Sequence, residues 1–396
     1  MLQRAGLLPV ARGPSASVDP KAAHRGGTSR LAWNGIGRHA SSGPMIEPGP
    51  HTLPDGRTAE VVEISGGGLR ARIATLGAAL LNLWAPDIHG RLGDVVLGHA
   101  TLADYLDDPA YLGVAVGRTA GRIAGATVTV DGTPHRLDAN DSPNTLHGGP
   151  HGLSAAVWTL EERATDRVVL AVSSPAGAGG YPGRLAVRLG VALREIAGAP
   201  TLALDWHATT DAPTLVALTH HGYWNLDGHG AGPVTGHVLQ SDAPRYLALN
   251  GLLPTGETPV TEGTALDLRQ PRALADVLAE EAGPVTEAGG LDHDLFLPPF
   301  GERQAALRRA LHVANATGTR AMEVWTTEPC VHLYDGLFLD GSEGKDGARY
   351  ESRSGLAIET QPPPDATRIV DRPRIPSVIL RPGEVLASRT EFRFVP

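Results

Sequence analysis

The sequence is poor in cysteine, in aromatic residues and in long apolar runs. A single cysteine, Cys330, among 396 residues excludes an intrachain disulfide and leaves no pair for a zinc knuckle or a redox motif. No run of about 18 apolar residues occurs, which excludes a membrane-spanning helix, and we expect no membrane partner. Such sparse cysteine agrees with a reducing compartment, so we expect a cytoplasmic location.

The charge balance excludes a second group of partners. The formal net charge is −9 and no long basic run occurs, whereas nucleic-acid surfaces need clustered lysine and arginine. We therefore expect no nucleic-acid partner and a small, neutral ligand.

Residues 1–44 differ from the rest of the chain because they are rich in arginine and hold one acid, Asp19. A targeting segment would share this composition, but the continuous apolar stretch of a secretory signal is missing. Without apolar periodicity the segment has little to bury. We interpret 1–44 as a disordered extension or as the product of a start codon placed too early, with Met45 as a natural start, and 45–396 as one domain.

From Thr58 onward the pattern is that of strands. Short apolar or alternating runs are bounded by Gly, Pro, Asn or Asp, and glycine (49) and proline (32) are abundant. The segment 128–137 predicts a hairpin turning at Asp131-Gly132. The segments 101–113 and 271–283 are the best helix candidates, and both are short. The sequence predicts an all-β fold, a large antiparallel β-sandwich with few short helices.

Two glycine-bounded clusters carry basic side chains. In "GVAVGRTAGRIAG", Arg118 and Arg122 lie four residues apart, so alternation would place both on one face of a strand, either exposed to solvent or lining a cleft. In "NTLHGGPHG", His147 precedes a glycine pair that lets the backbone approach a ligand. Alone, each cluster also has an inert interpretation.

Two further clusters suit a sugar ligand. "VALTHHGYWNLDG" combines histidines with Tyr223 and Trp224, and aromatic faces beside polar groups fit the two sides of a sugar ring. In "SGLAIETQPPPDATRIV", Glu359 ends an apolar strand, where a carboxylate is costly unless it is paired or used. A metal centre is disfavoured, because His220 and His221 would point to opposite faces of a strand.

Taken in order, these clusters resemble the galactose mutarotase (aldose 1-epimerase) family from about residue 48 to the C-terminus. "PDIHGRLGDVVLG", "GYPGRLAVRLGVAL", "GLLPTGETPV", "GLDHDLFL" and "EVWTTEPCVHLYDG" extend the match. The resemblance implies a large β-sandwich with an open sugar cleft on one sheet. It also implies an isomerase that interconverts the α and β anomers of a free hexose such as galactose or glucose, without cofactor or metal. We expect a monosaccharide as partner and a monomer or homodimer.

The resemblance also assigns roles to individual residues. His221, before the Gly-Tyr-Trp-Asn-Leu string, would be the general acid and Glu359 of "ETQ" the general base. The expected sugar-binding residues are Arg122, His147, Asp292 and His332. Two positions depart from the family: Gly121 stands where Asn usually precedes the arginine, and His332 where Gln is frequent. These two changes affect the expected hexose preference more than the expected reaction.

The chemistry needs one base for the C1 hydroxyl and one acid for the ring oxygen, and a carboxylate and an imidazole suit neutral pH. By analogy with glycosidase carboxylates, we expect roughly 5 to 8 Å between the Glu359 carboxylate and the His221 ring.

Four other functions compete with this one. A glycoside hydrolase or lyase would need a second carboxylate, for which Asp292 is the ready candidate. A non-catalytic sugar-binding protein would be expected to lose His221 or Glu359. A mutarotase for another aldose remains open, and one for a hexose 6-phosphate would need a basic cleft rim, for which Arg118 and Arg122 are the candidates.

Overall fold

Short apolar runs closed by glycine and proline turns form strands throughout the computed structural model, which describes residues 46–369 and 375–395. The expectations for residues 1–44 and for Met45 lie outside these ranges. In the first half the strands are β1 (Gly49–Thr52), β2 (Thr58–Gly66), β3 (Leu69–Ala74), β4 (Leu80–Pro86), β5 (Leu92–Asp94), β6 (Ala115–Val116), β7 (Arg122–Ile123), β8 (Thr127–Val130), β9 (Thr133–Arg136), β10 (Thr145–Leu146), β11 (Thr159–Arg163), β12 (Arg167–Ser174), β13 (Leu185–Ile196), β14 (Ala199–Thr210), β15 (Thr214–Leu215) and β16 (Thr219–His220).

The second half continues the pattern. Its strands are β17 (Tyr223–Trp224), β18 (Val238–Gln240), β19 (Arg245–Tyr246), β20 (Leu249–Asn250), β21 (Leu253–Pro254), β22 (Arg272–Ala273), β23 (Asp292–Phe296), β24 (Arg308–Ala314), β25 (Ala321–Thr326), β26 (Cys330–Tyr334), β27 (Ser342–Glu343), β28 (Arg349–Tyr350), β29 (Leu356–Gln361), β30 (Ile379–Leu380) and β31 (Leu386–Val395). The α-helices in the described ranges are α1 (Leu274–Leu278) and α2 (Pro284–Ala288).

Three sheets organise these strands, and their neighbouring strands are antiparallel. The large sheet has nine strands in the order β11-β12-β13-β14-β31-β25-β24-β18-β22. A five-stranded sheet, here called the cleft sheet, has the order β17-β29-β26-β23-β19, and β1 to β5 form another in sequence order. This arrangement confirms the predicted all-β antiparallel sandwich with few short helices.

The cleft sheet and the large sheet share one apolar core. Alternation sends Leu356 and Ile358 of β29 inward, where they join the same buried cluster as Val324 of β25. At the edge of the cleft sheet, Trp224 stacks on Phe392 of β31 with ring centroids 4.5 Å apart. The opposite face of the cleft sheet is therefore the one left free for polar side chains.

The local predictions have mixed outcomes. The hairpin is confirmed: β8 and β9 pair across Asp131 and Gly132, both with positive φ as its two-residue turn requires. The segment 271–283 contains α1. The segment 101–113 forms only the 3-10 turn Leu102–Tyr105, because Asp108 then accepts hydrogen bonds from the amides of Ala110 and Leu112 and holds them in a loop.

None of the helices in the described ranges has the length and hydrophobicity needed to cross a membrane.

The contact between Trp224 and Phe392 gives a direct test of sheet packing. Phe392 is 3 % exposed, so Phe392→Ala should lower the free energy of unfolding by about 3 to 5 kcal/mol through lost burial and a cavity. Urea unfolding measures this. Leu92→Ala is the control, because Leu92 on β5 is 54 % exposed and should change stability by no more than about 0.5 kcal/mol. Equal effects of the two substitutions would contradict the assigned packing.

Candidate active site

A row of polar side chains crosses three neighbouring strands of the cleft sheet on its outer face. The antiparallel register pairs Asp294 of β23 with His332 of β26, and His332 with Glu359 of β29. Directly opposite residues have Cβ atoms about 4.5 to 5.5 Å apart and share one face of a sheet. Residues far apart in sequence therefore become neighbours through strand pairing.

His221 reaches the same place from the edge strand. Tyr223 pairs with Ala357, and two residues further along this register His221 stands opposite Glu359. His221 Nε2 lies 3.3 Å from Glu359 Oε1. His220 points the other way, with its Nε2 3.4 Å from the Ala78 carbonyl oxygen. The sequence-based choice of His221 over His220 therefore agrees with the geometry.

The predicted separation of 5 to 8 Å between His221 and Glu359 is wrong, since 3.3 Å separates their facing atoms. The analogy failed because glycosidase carboxylates stand on two sides of a bond. Here both groups come from paired strands of one sheet, so they act side by side.

Burial sets the charge state of this pair. Loss of solvation raises the pKa of Glu359 to about 8, with His332 lowering and Asp294 raising it less strongly. Loss of solvation also lowers the pKa of His221 to about 3. Both shifts favour the uncharged forms, so burial favours a carboxylic acid beside a neutral imidazole over an ion pair.

One carboxyl oxygen remains available. Within the described part of the chain, Glu359 Oε2 is buried and has no hydrogen-bond partner. A buried, unsatisfied oxygen is costly, and such groups concentrate where a ligand or a reaction uses them.

Arg122 and His147 line the same cleft, and the His147 ring centroid lies 5.1 Å from that of His221. β7 pairs with β10, so Arg122 lies opposite Leu146 and beside His147. The His147 Nδ1 accepts a hydrogen bond from the Gly121 amide at 3.3 Å, which places the ring proton on Nε2. Burial and the neighbouring His221 hold the pKa of His147 well below 6.5, so His147 is a neutral donor.

His332 has partners that differ from the predicted sugar hydroxyl. Its Nε2 lies 3.1 Å from Asp292 Oδ1 and its Nδ1 lies 3.1 Å from Asp294 Oδ2. Burial opposes the charged ring, but Asp294 and Asp292 outweigh it and hold the pKa of His332 well above 6.5. Gln361 Nε2 donates to the other oxygen of Asp294 at 2.9 Å. His332 is thus a cation held between two carboxylates.

The cleft around these groups has a space of about 970 Å³ including its open mouth. Tyr111 closes one side, with its ring 4.7 Å from the His147 ring and its hydroxyl accepting from Asn140 Nδ2 at 3.0 Å. The remaining lining is largely apolar and consists of Leu146, Tyr223, Leu249, Leu252, Pro254, Tyr334, Phe338, Leu339 and Pro364, among others. A mostly apolar cleft with a few converging polar groups is typical of small-molecule sites.

Gly121 has a structural partner. Its φ is +69°, and a Cβ atom built there would lie 2.4 Å from Pro364 Cβ. Pro364 therefore occupies the space next to the Gly121 backbone, and any larger residue at position 121 would have to displace it.

All six predicted site residues line this one cleft: Arg122, His147, His221, Asp292, His332 and Glu359. Arg118 is not among them. Its guanidinium is buried and donates to the carbonyl oxygens of Ser174, Pro175, Pro182 and Gly183, so the expectation that it shares a strand face with Arg122 is wrong.

Sequence reasoning missed two contributors. Asp294 was not assigned to the site, although it lies two residues after Asp292 and so on the same strand face. Tyr111 gave no signal, because it belongs to a segment predicted to be helical and its φ of +55° arises in the loop that replaces that helix.

A β-sandwich whose cleft holds a side-by-side carboxyl and imidazole, with further donors and acceptors around them, belongs to the proteins that move protons on a small polar ligand. The aldose 1-epimerase family model matches residues 60–393. Human galactose mutarotase is 38 % identical over 345 residues, covering 86 % of this chain and 96 % of the relative. The aldose 1-epimerase of Escherichia coli K12 is 32 % identical over 354 residues, covering 89 % of this chain and 99 % of the relative.

A solved structure agrees. An aldose epimerase homologue from C. elegans superposes with a TM-score of 0.76 at 31 % identity, covering 85 % of this chain and 99 % of that one. The chain therefore belongs to the aldose 1-epimerase family, and it is an isomerase.

The spacing in the cleft also bears on metal binding. One potential ligand atom each of His147, His221 and Glu359 lies within 4.8 Å of the others. We assign these atoms to proton transfer and predict that incubation with EDTA, followed by removal of the chelator, leaves the mutarotation rate unchanged. A loss of rate that added Zn²⁺ restored would contradict this assignment.

The raised pKa of Glu359 predicts a pH-dependent stability. Between its usual value of 4.5 and about 8, the unfolded chain loses this proton while the folded chain keeps it, so stability falls as pH rises. Glu359→Gln removes the effect. The variant should therefore gain stability relative to wild type, by up to about 1.4 kcal/mol per pH unit across that window. Thermal unfolding at pH 5 and pH 8 measures the difference, and a gap that stays constant would contradict the assignment.

Proposed function

We propose that the protein is a mutarotase for free, neutral aldohexoses in which Glu359 is the general base and His221 the general acid. The observation that carries the proposal is the 3.3 Å contact between His221 Nε2 and Glu359 Oε1 at the floor of the cleft. A hemiacetal places its C1 hydroxyl and its ring oxygen on one carbon, and two proton-transfer groups side by side suit two adjacent oxygens.

The proton balance follows from this geometry. Reaction begins from the ion-pair form, with a proton on His221 and none on Glu359. The C1 hydroxyl gives its proton to the carboxylate, the C1–O5 bond breaks, and O5 takes the proton from the imidazolium. Rotation about C1–C2 presents the other face of the aldehyde, and the reverse transfers close the ring and regenerate the ion pair.

Burial favours the protonation state that His221 and Glu359 reach after ring opening. After ring opening the pair is a neutral carboxylic acid beside a neutral imidazole, which is the form that the shifted pKa values of Glu359 and His221 favour. The same burial makes the ion pair a strong base and a strong acid, because each group gains by losing its charge.

The surrounding groups support sugar binding. His147 offers an Nε2 donor, Arg122 a guanidinium, and Asp292 a carboxylate acceptor, and all three line the cleft. Hydroxyl groups of a sugar both donate and accept, so a mixed set of this kind suits them. His332 contributes to the proposed binding site indirectly, because it holds the carboxylates of Asp292 and Asp294 in place.

Charge favours a neutral sugar over a hexose 6-phosphate. Three carboxyl groups, those of Asp292, Asp294 and Glu359, line the cleft. Of the two predicted basic candidates, Arg118 is committed to carbonyl oxygens, and Arg122 Nε lies 2.9 Å from Asp141 Oδ2. A phosphate dianion would meet more negative than positive charge.

Polarimetry of freshly dissolved α-D-galactose and α-D-glucose tests the proposal. Glu359→Gln and His221→Asn should each lower kcat/KM by roughly 10² to 10⁴-fold, because each removes one proton-transfer group. His220→Asn is the matched control, since this neighbouring histidine faces away from the cleft and should leave the rate within a few-fold of wild type. Near-wild-type rates for either of the first two variants would refute the assigned roles.

Substrate class needs a separate comparison. We expect free hexoses to be used at least tenfold better than their 6-phosphates, and we expect no monosaccharide to be released from lactose. Faster mutarotation of the phosphates, or disaccharide hydrolysis, would replace the proposed substrate. We further propose a cytoplasmic location and a preference for galactose or glucose among the aldoses, on the strength of the family and of the single cysteine, Cys330.

A further inference from the structure

His332 occupies the centre of a line of charge across the cleft sheet. Asp294, His332 and Glu359 stand in register on β23, β26 and β29, and Asp292 lies one alternation away on β23. The two aspartates take both ring nitrogens of His332 at 3.1 Å. An imidazole with both nitrogens on carboxylates has no free N–H for a sugar hydroxyl.

Charge balance depends on that ring. Without His332, three carboxyl groups would share one buried sheet face, and like charges at such spacing disfavour ionisation. The groups that face the row from the packed elements are His147, His221, Tyr223, Tyr334, Arg122 and, behind Tyr111, Asp108. Of these, Arg122 is paired with Asp141 and the two histidines are neutral, so His332, held between its two aspartates, is the positive charge that stands next to Glu359 in the row.

We infer that His332 is a positioning residue whose positive charge favours the ionised form of Glu359, the proposed base, and which fixes the carboxylate of Asp292 towards the sugar. Its role is electrostatic and orienting rather than that of a hydroxyl donor. The inference rests on the proposed role of Glu359 as base. It also explains why histidine is compatible with a position where the family frequently has glutamine: Asp294 supplies the second carboxylate that keeps the ring charged.

The pH profile of kcat/KM distinguishes this role from simple hydrogen bonding. His332→Gln keeps the hydrogen-bonding capacity but removes the cation, so the alkaline limb of the profile, where the pair of His221 and Glu359 loses its one proton, should move to higher pH by about one unit or more. On the plateau below that limb the variant should be about tenfold slower than wild type, because the ion-pair form from which reaction begins is less populated.

Asp294→Asn should move the alkaline limb in the opposite direction. It removes a negative charge near Glu359, while Asp292 still holds His332 in its charged form. The double variant should lie between the two single variants. A hydrogen-bonding role would instead impair both single variants without shifting their profiles in opposite directions. If His332→Gln proves unstable in thermal unfolding, the direction of the Asp294→Asn shift decides alone.

His207→Gln serves as the matched control, because His207 is exposed on β14 of the large sheet and its loss should leave the profile unchanged. Superimposed profiles for wild type and His332→Gln, or shifts of the same sign in both single variants, would overturn the inference. A wild-type protein without mutarotation, or an active Glu359→Gln variant, would instead remove the proposed function, so the two failures are distinguishable.

Discussion

Burial of one carboxyl group at the end of a strand is the constraint on which the site depends. Glu359 lies on the outer face of β29 with little solvent, which makes its ionised form costly. His221 is buried beside it, and its charged form is costly for the same reason. A pair in which both members gain by losing charge is poised to exchange protons with a hemiacetal, and its rest state matches the product of ring opening. The low polarity of the cleft floor is therefore part of the chemistry.

Strand register is what assembles this pair. His221, Asp294, His332 and Glu359 come from four strand regions that span more than a third of the chain, and antiparallel pairing sets them side by side without any local motif linking them. The inward residues of the same strands, such as Ile358 between Ala357 and Glu359, anchor the register in the shared core. A slip of one residue would send Glu359 into that core, so the packing that stabilises the fold also fixes the position of the proposed acid and base.

Much of this could be predicted from sequence, and the remainder has physical reasons. Alternating runs and turn residues were enough for an all-β sandwich and for the hairpin at Asp131-Gly132. The order of the sequence motifs was enough to select six residues that line one cleft. The distance between His221 and Glu359 was not predictable, because it depends on which strands pair. The burial of individual side chains was not predictable for the same reason. The charge states of Glu359 and His332 were therefore missed, and so was the structural role of Arg118.

The two departures from the family pattern are each matched by a neighbour that makes them workable. Gly121 accompanies Pro364, whose ring occupies the space beside the glycine backbone. His332 accompanies Asp294, which completes the second half of its ion pairing. A Cβ atom at position 121 would clash with Pro364, and without Asp294 the His332 ring would keep only one of its two carboxylate partners. The Gly121–Pro364 contact borders Arg122 and His147, whereas the His332–Asp294 contact lies in the same row of the cleft sheet as Glu359. A change at position 121 can therefore alter the proposed sugar-binding residues alone, whereas a change at position 332 also acts on the proposed base.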